Sequence, residues 1–135
     1  MVNAEVQNIV NSKQIPVGKK IIVTGYFRRG APSSEIVAVE KEFSRVRSWY
    51  LDELVLIDFT KLQELDSIGI RNTIPLIITF NKELIKKKRF PISIIGNINS
   101  DIYNAVKDKF SDENLTTLLP WYENEEKYLR AADVD

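Results

Sequence analysis

Apolar residues along the chain follow two rhythms, alternating or continuous in some stretches and recurring every three or four positions in others. Val2 to Val10 alternates and predicts a strand. Pro16-Val17-Gly18-Lys19 reads as a turn, because proline presets one backbone angle and glycine accepts positive φ. Lys20 to Phe27 is β-branched and aromatic and predicts a second strand. Together the two suggest a hairpin at one side of a sheet. Arg28 to Pro32 is a loop, and Ser33 or Ser34 is placed to cap the helix that follows. In that helix Ile36, Val39, Phe43, Val46 and Tyr50 form one apolar stripe.

Leu54 to Phe59 is nearly continuous and apolar, the signature of a strand covered on both faces, as in a parallel sheet. A loop from Thr60 to Leu65 leads to Asp66-Ser67-Ile68-Gly69. A long helix follows, with Ile70, Ile74, Ile77, Ile78, Leu84 and Ile85 available for the core. Its end, Lys86 to Arg89, is basic, which suits the negative pole of a helix dipole. Phe90 to Gly96 is a further strand candidate. Asn99 or Ser100 is expected to cap a helix carrying Ile102, Ala105, Val106 and Phe110. Leu115 to Leu119 is expected to be a short strand or extended segment, and Glu125 to Ala132 a final helix with Tyr128 and Leu129 turned inward. Strands alternating with helices predict an α/β fold: a mixed β-sheet of four to five strands with helices packed on it.

The length, 135 residues, fits a single domain spanning 1–135, with a loose tail about 131–135. Cysteine and histidine are both absent, which excludes disulfides, zinc sites built from those residues and imidazole-based catalysis. The formal net charge is zero, so no broad basic field is present to attract nucleic acid. Residues 1–20 hold no apolar run of signal-peptide length, and no run approaches the ~18 residues of a membrane span. The expectation is a soluble, cytoplasmic protein.

Asp66-Ser67-Ile68-Gly69, between a buried strand and a long helix, carries the functional content. Read with Ile22-Val23-Thr24-Gly25, Leu54 to Phe59 and Ile94-Ile95-Gly96-Asn97, it resembles the STAS domain, and in particular the bacterial anti-sigma factor antagonists. The resemblance runs from about Lys20 to Ala132. It implies a STAS-like sheet and a regulatory switch without catalysis of its own. In antagonists the first serine of a D-S-S-G motif accepts a phosphate from a partner that is both serine kinase and anti-sigma factor. The unphosphorylated form binds that partner and the phosphorylated form does not. Here the acceptor position is Ser67, with Asp66, Ile68, Gly69 and Arg71 expected to form the docking surface and Arg28 and Asn97 on adjoining loops. A phosphatase is a further expected partner. The kinase supplies the nucleotide, so no cofactor and no metal is expected.

Serine at a helix start lies near unpaired backbone N–H groups and the positive end of the dipole, where a phosphate finds donors. Asp66 and Glu64 would repel the added charge, and Arg71 would offset part of that. Gly69, without a side chain, would let a partner or a neighbouring loop approach. The plainer reading is that Asp66 and Ser67 only cap a helix.

Three departures from the family pattern are visible. Ile68 replaces the second serine. Arg28, followed by Arg29, stands where antagonists commonly carry an acidic residue. Pro75, past the first helical turn, predicts a kink or a fresh helix start. The first two departures keep open a second reading, a non-phosphorylated STAS subunit of a larger assembly such as a stressosome-like particle or a lipid-transport complex. An enzyme would require a carboxylate–Mg²⁺ site, from residues such as Asp58, Asp66 and Asp101, and nothing in their spacing argues for one. Trp49-Tyr50 and Trp121-Tyr122 are each expected to give one ring to the core and leave the other partly exposed.

Overall fold

Val55, Leu56 and Ile57 are almost wholly withdrawn from water because their strand lies at the centre of the sheet, with a core on each face. The computed structural model describes residues 1–135. Its strands are β1 (Val2–Val10), β2 (Pro16–Phe27), β3 (Leu54–Asp58), β4 (Leu62–Leu65), β5 (Ser93–Ile95) and β6 (Trp121–Tyr122). The sheet order is β1-β2-β3-β5-β6, and β4 pairs with the far end of β2. Only the β1–β2 hairpin is antiparallel; the other pairs are parallel. The helices are α1 (Ser33–Ser44), α2 (Ser67–Lys86), α3 (Asp101–Lys109), α4 (Leu115–Leu118) and α5 (Glu125–Ala131). The mixed α/β architecture is the one predicted.

Strand alternation divides the core. Val55 and Ile57 join Val39, Phe43, Ile74, Ile77 and Val106 in the larger cluster, whereas Leu56 packs with Ile9, Ile95 and Tyr128 on the other face. The Tyr128 hydroxyl is buried without a hydrogen-bond partner, and burial pushes its pKa well up.

The sheet has six strands rather than four or five, and several boundaries differ from expectation. The hairpin turn is at Asn11–Ile15, not Pro16–Lys19. Asn11 Oδ1 accepts from the N–H groups of Lys13 (2.9 Å) and Ile15 (3.0 Å), a local substitute for backbone pairing. Pro16 opens β2 opposite Val10, beside the register shift, where its missing N–H is tolerated. Neither Ser33 nor Ser34 caps α1; Pro32 occupies that position, with no side-chain bond to the helix start. The predicted loop 60–65 contains β4. Residues 115–118 are a helical turn, and the strand falls just beyond Pro120, whose carbonyl accepts from Ile94 N–H at 2.9 Å.

Pro75 does not start a new helix: α2 runs unbroken from Ser67 to Lys86. Pro75 and Arg71 are both exposed, so the Arg71 carbonyl that loses its donor lies on the side of the helix facing water. Trp49 and Tyr50 are both buried, with Tyr50 stacked on Phe80 at 4.2 Å between ring centroids. Trp121 and Tyr122 are both half-buried, because consecutive strand residues face opposite cores. The expected loose tail is bonded. Asp133 and Val134 N–H donate to the Arg130 and Leu129 carbonyls, and Ser12 N–H donates to the Asp135 carbonyl at 2.7 Å.

Candidate functional site

The parallel strands β2, β4 and β5 end on the same edge of the sheet, so the loops that follow them share that edge. These loops carry Arg28, Asp66 and Asn97. β4 delivers the chain to α2 in a fixed direction: Leu62 and Leu65 are buried, and Asp66 N–H donates to the Phe27 carbonyl at 3.2 Å.

Asp66 is the N-cap of α2. Its Oδ1 accepts from Ile68 N–H (2.9 Å) and Gly69 N–H (3.2 Å), and its Oδ2 accepts from Arg29 N–H (2.7 Å). One carboxylate therefore ties the helix start to the loop after β2, a link between residues 37 positions apart. Burial pushes the Asp66 carboxyl up, but the three backbone donors and the Arg29 charge together outweigh it and hold the group below the usual aspartate range.

Capping by Asp66 leaves Ser67 free of that duty. Ser67 is the first helical residue, it is exposed, and its hydroxyl makes no hydrogen bond. Ile68 beside it is half-buried. Arg71, about one turn along, is exposed and forms no ion pair.

Three expectations for this region change. The Ile68 and Gly69 N–H groups, expected to receive a phosphate, are already held by Asp66. Gly69 is buried and offers no surface to a partner. An added Cβ would lie 2.8 Å from the Phe27 carbonyl oxygen and 2.6 Å from Leu65 Cδ1. The close approach is thus made by the chain's own β2 and β4 ends. Arg28 and Glu64 do not act separately on Ser67, because they pair with each other at 2.7 Å, with Arg28 also over the Tyr26 ring. Asn97 is exposed but braces its own loop. Its Oδ1 accepts from Asn99 N–H and its carbonyl from Ser100 N–H and Oγ, while Ser100 caps α3. It forms no hydrogen bond with residues 66–71. No three carboxylates gather as a metal site; Asp58 accepts from Thr60 N–H and Oγ1, and Asp66 is occupied as described.

The cap gives a prediction. Asp66→Ala is expected to lower stability by about 1.5 kcal/mol, typical of a lost N-cap with an added loop bond. Denaturant unfolding at neutral pH measures this. Because the folded pKa is depressed, the wild-type advantage is fully present above the ordinary aspartate range. It is lost as pH falls through the lower folded value. The two unfolding curves should converge in acid.

Comparison with known proteins bears on the fold. No family profile matches the chain, and no curated protein matches it. Among solved structures it is similar to an anti-sigma factor antagonist from Mycobacterium paratuberculosis, at 13% identity and a TM-score of 0.61, covering 98% of this chain and 95% of that one. It is also similar to an uncharacterised protein from Shewanella loihica with a SpoIIAA-like fold, at 13% identity and a TM-score of 0.56, over 98% and 95% of the two chains. The chain has the STAS-like fold these structures share. No helix is long and apolar enough to cross a membrane.

Proposed function

We propose that this protein is a regulatory switch of the anti-sigma factor antagonist kind, in which the charge state of Ser67 decides whether an anti-sigma factor with serine kinase activity can dock. The observation that carries this reading is the free, exposed Ser67 hydroxyl on the first residue of α2, directly beside a cap already filled by Asp66. A kinase meets an unbonded nucleophile there. A phosphate adds about −1.5 to −2 charge beside the Asp66 carboxylate, and the nearest cap donors are engaged, so most of that charge faces the partner. Ser67, Ile68 and Arg71 present the surface, with Arg28 and Asn97 on the adjoining loops; Asp66 and Gly69 act from beneath it.

The test mixes the chain with anti-sigma factor kinases and ATP and reads intact mass and binding. Wild type is expected to gain one phosphate and Ser67→Ala none. Ser67→Asp is expected to weaken partner binding by about a hundredfold, as a few kcal/mol of desolvation and like-charge cost requires. No added phosphate, together with unchanged binding by Ser67→Asp, overturns the reading. Co-purification with subunits of a larger particle or transporter would then place the chain as a constitutive subunit.

A further inference from the structure

β1 forms an outer edge of the sheet, nine residues long and paired on one side only. In an antiparallel pair, alternate residues exchange both backbone bonds with the neighbour, and those between turn N–H and C=O away. The Met1 carbonyl accepts from Tyr26 N–H at 3.1 Å, and Asn3, Glu5 and Gln7 lie opposite Thr24, Ile22 and Lys20 in the same phase. Ala4, Val6 and Asn8 therefore present their backbone groups to the open edge. Val2 does so too, and its N–H is taken by Glu35 Oε1 at 2.7 Å. No comparable side chain covers the next three residues. The strand carries neither proline nor lysine, the usual guards of an open edge, and its only charge is Glu5. Ala4 and Val6 pack against the larger core yet stay half-exposed.

We propose that β1 pairs antiparallel with β1 of a second copy of the chain, about a two-fold axis through Val6. This register faces Val6 with its own copy and Ala4 with Asn8, so each open N–H and C=O of the three residues meets a partner. It also sets Glu5 opposite Gln7 of the second copy, twice, with a carboxylate accepting from an amide. Other in-phase registers fit less well. Centring on Glu5 opposes two carboxylates. Centring on Ala4 needs the Val2 N–H that Glu35 holds. Centring on Gln7 sets Ala4 opposite Val10, across the register shift between Ile9 and Val10. A second copy suits the edge because the fit is self-complementary and the zero net charge sets up no long-range repulsion between copies.

Sedimentation velocity on the full chain, from about one to a few hundred micromolar, should show a monomer–dimer equilibrium. Gln7 is exposed, so its substitution leaves the fold intact, which circular dichroism verifies. Gln7→Lys places an ammonium opposite each Glu5 and should tighten the dimer about tenfold; Gln7→Glu opposes carboxylates and should loosen it about tenfold. The chain has no native cysteine. An equimolar mixture of Glu5→Cys and Gln7→Cys chains should therefore form a disulfide-linked dimer faster than either alone. A monomer at every concentration, or a dimer whose constant does not move in opposite directions in the two Gln7 variants, overturns the proposal. Equal cross-linking by Gln7→Cys alone overturns the register.

Discussion

Asn81→Leu is expected to destabilise the protein by roughly 4 kcal/mol, far more than the matching branched shape of the two side chains would suggest. Asn81 lies fully buried in α2, and its amide group is hydrogen-bonded at both ends. Nδ2 donates to the carbonyls of Ile92 and Leu118, each at 2.8 Å, and Oδ1 accepts from Ile92 N–H at 2.6 Å. One side chain thus stands in for a strand partner just before β5 and pins α4 to α2. Leucine would leave these three backbone groups without partners, at about 1–3 kcal/mol for each fully desolvated one. The measurement is the shift in urea midpoint at unchanged m-value. A loss below about 1 kcal/mol would mean that water reaches the site and replaces the amide.

Gly69→Val is expected to cost about 3–4 kcal/mol. Helix propensity pulls the other way, since glycine is less favourable than most residues in a helix interior by up to about 1 kcal/mol. Packing decides the sign. The first added carbon would already lie within 3 Å of both a leucine methyl and the Phe27 carbonyl oxygen. Leu65 can shift its side chain, but the Phe27 oxygen belongs to the backbone and also accepts from Asp66 N–H, so it cannot retreat without breaking the exit from β4. Valine brings two more methyl groups into that gap. Thermal unfolding measures the cost. A variant as stable as wild type would show that β2 and α2 separate easily there.

Elements with a long periodic pattern were legible in the residues. Leu54 to Phe59 read as a strand covered on both faces, and α2 announced itself through Ile70, Ile74, Ile77 and Leu84. What was hidden depended on distant partners. β4 has two buried positions and pairs only with the last residues of β2, so its sequence reads as a loop. β6 has two residues, too few for any rhythm. Ser67 stood out by its place between strand and helix. Its surroundings were not, because the Arg28–Glu64 pair and the Asp66–Arg29 bond join residues 36 and 37 apart. Asn81 gave no signal, since an asparagine within an apolar helical stretch looks the same whether or not a carbonyl awaits it.

The Asp66 clamp has a consequence for the switch proposed at Ser67. Because the helix start and the loop after β2 are already locked together, docking there freezes little additional chain, and the entropic toll of association stays small. The proposed modification would alter the surface chemistry of a preorganised platform instead of melting or ordering a segment. Its effect should surface mainly in how fast a partner leaves, with the free protein's amide exchange pattern almost unchanged.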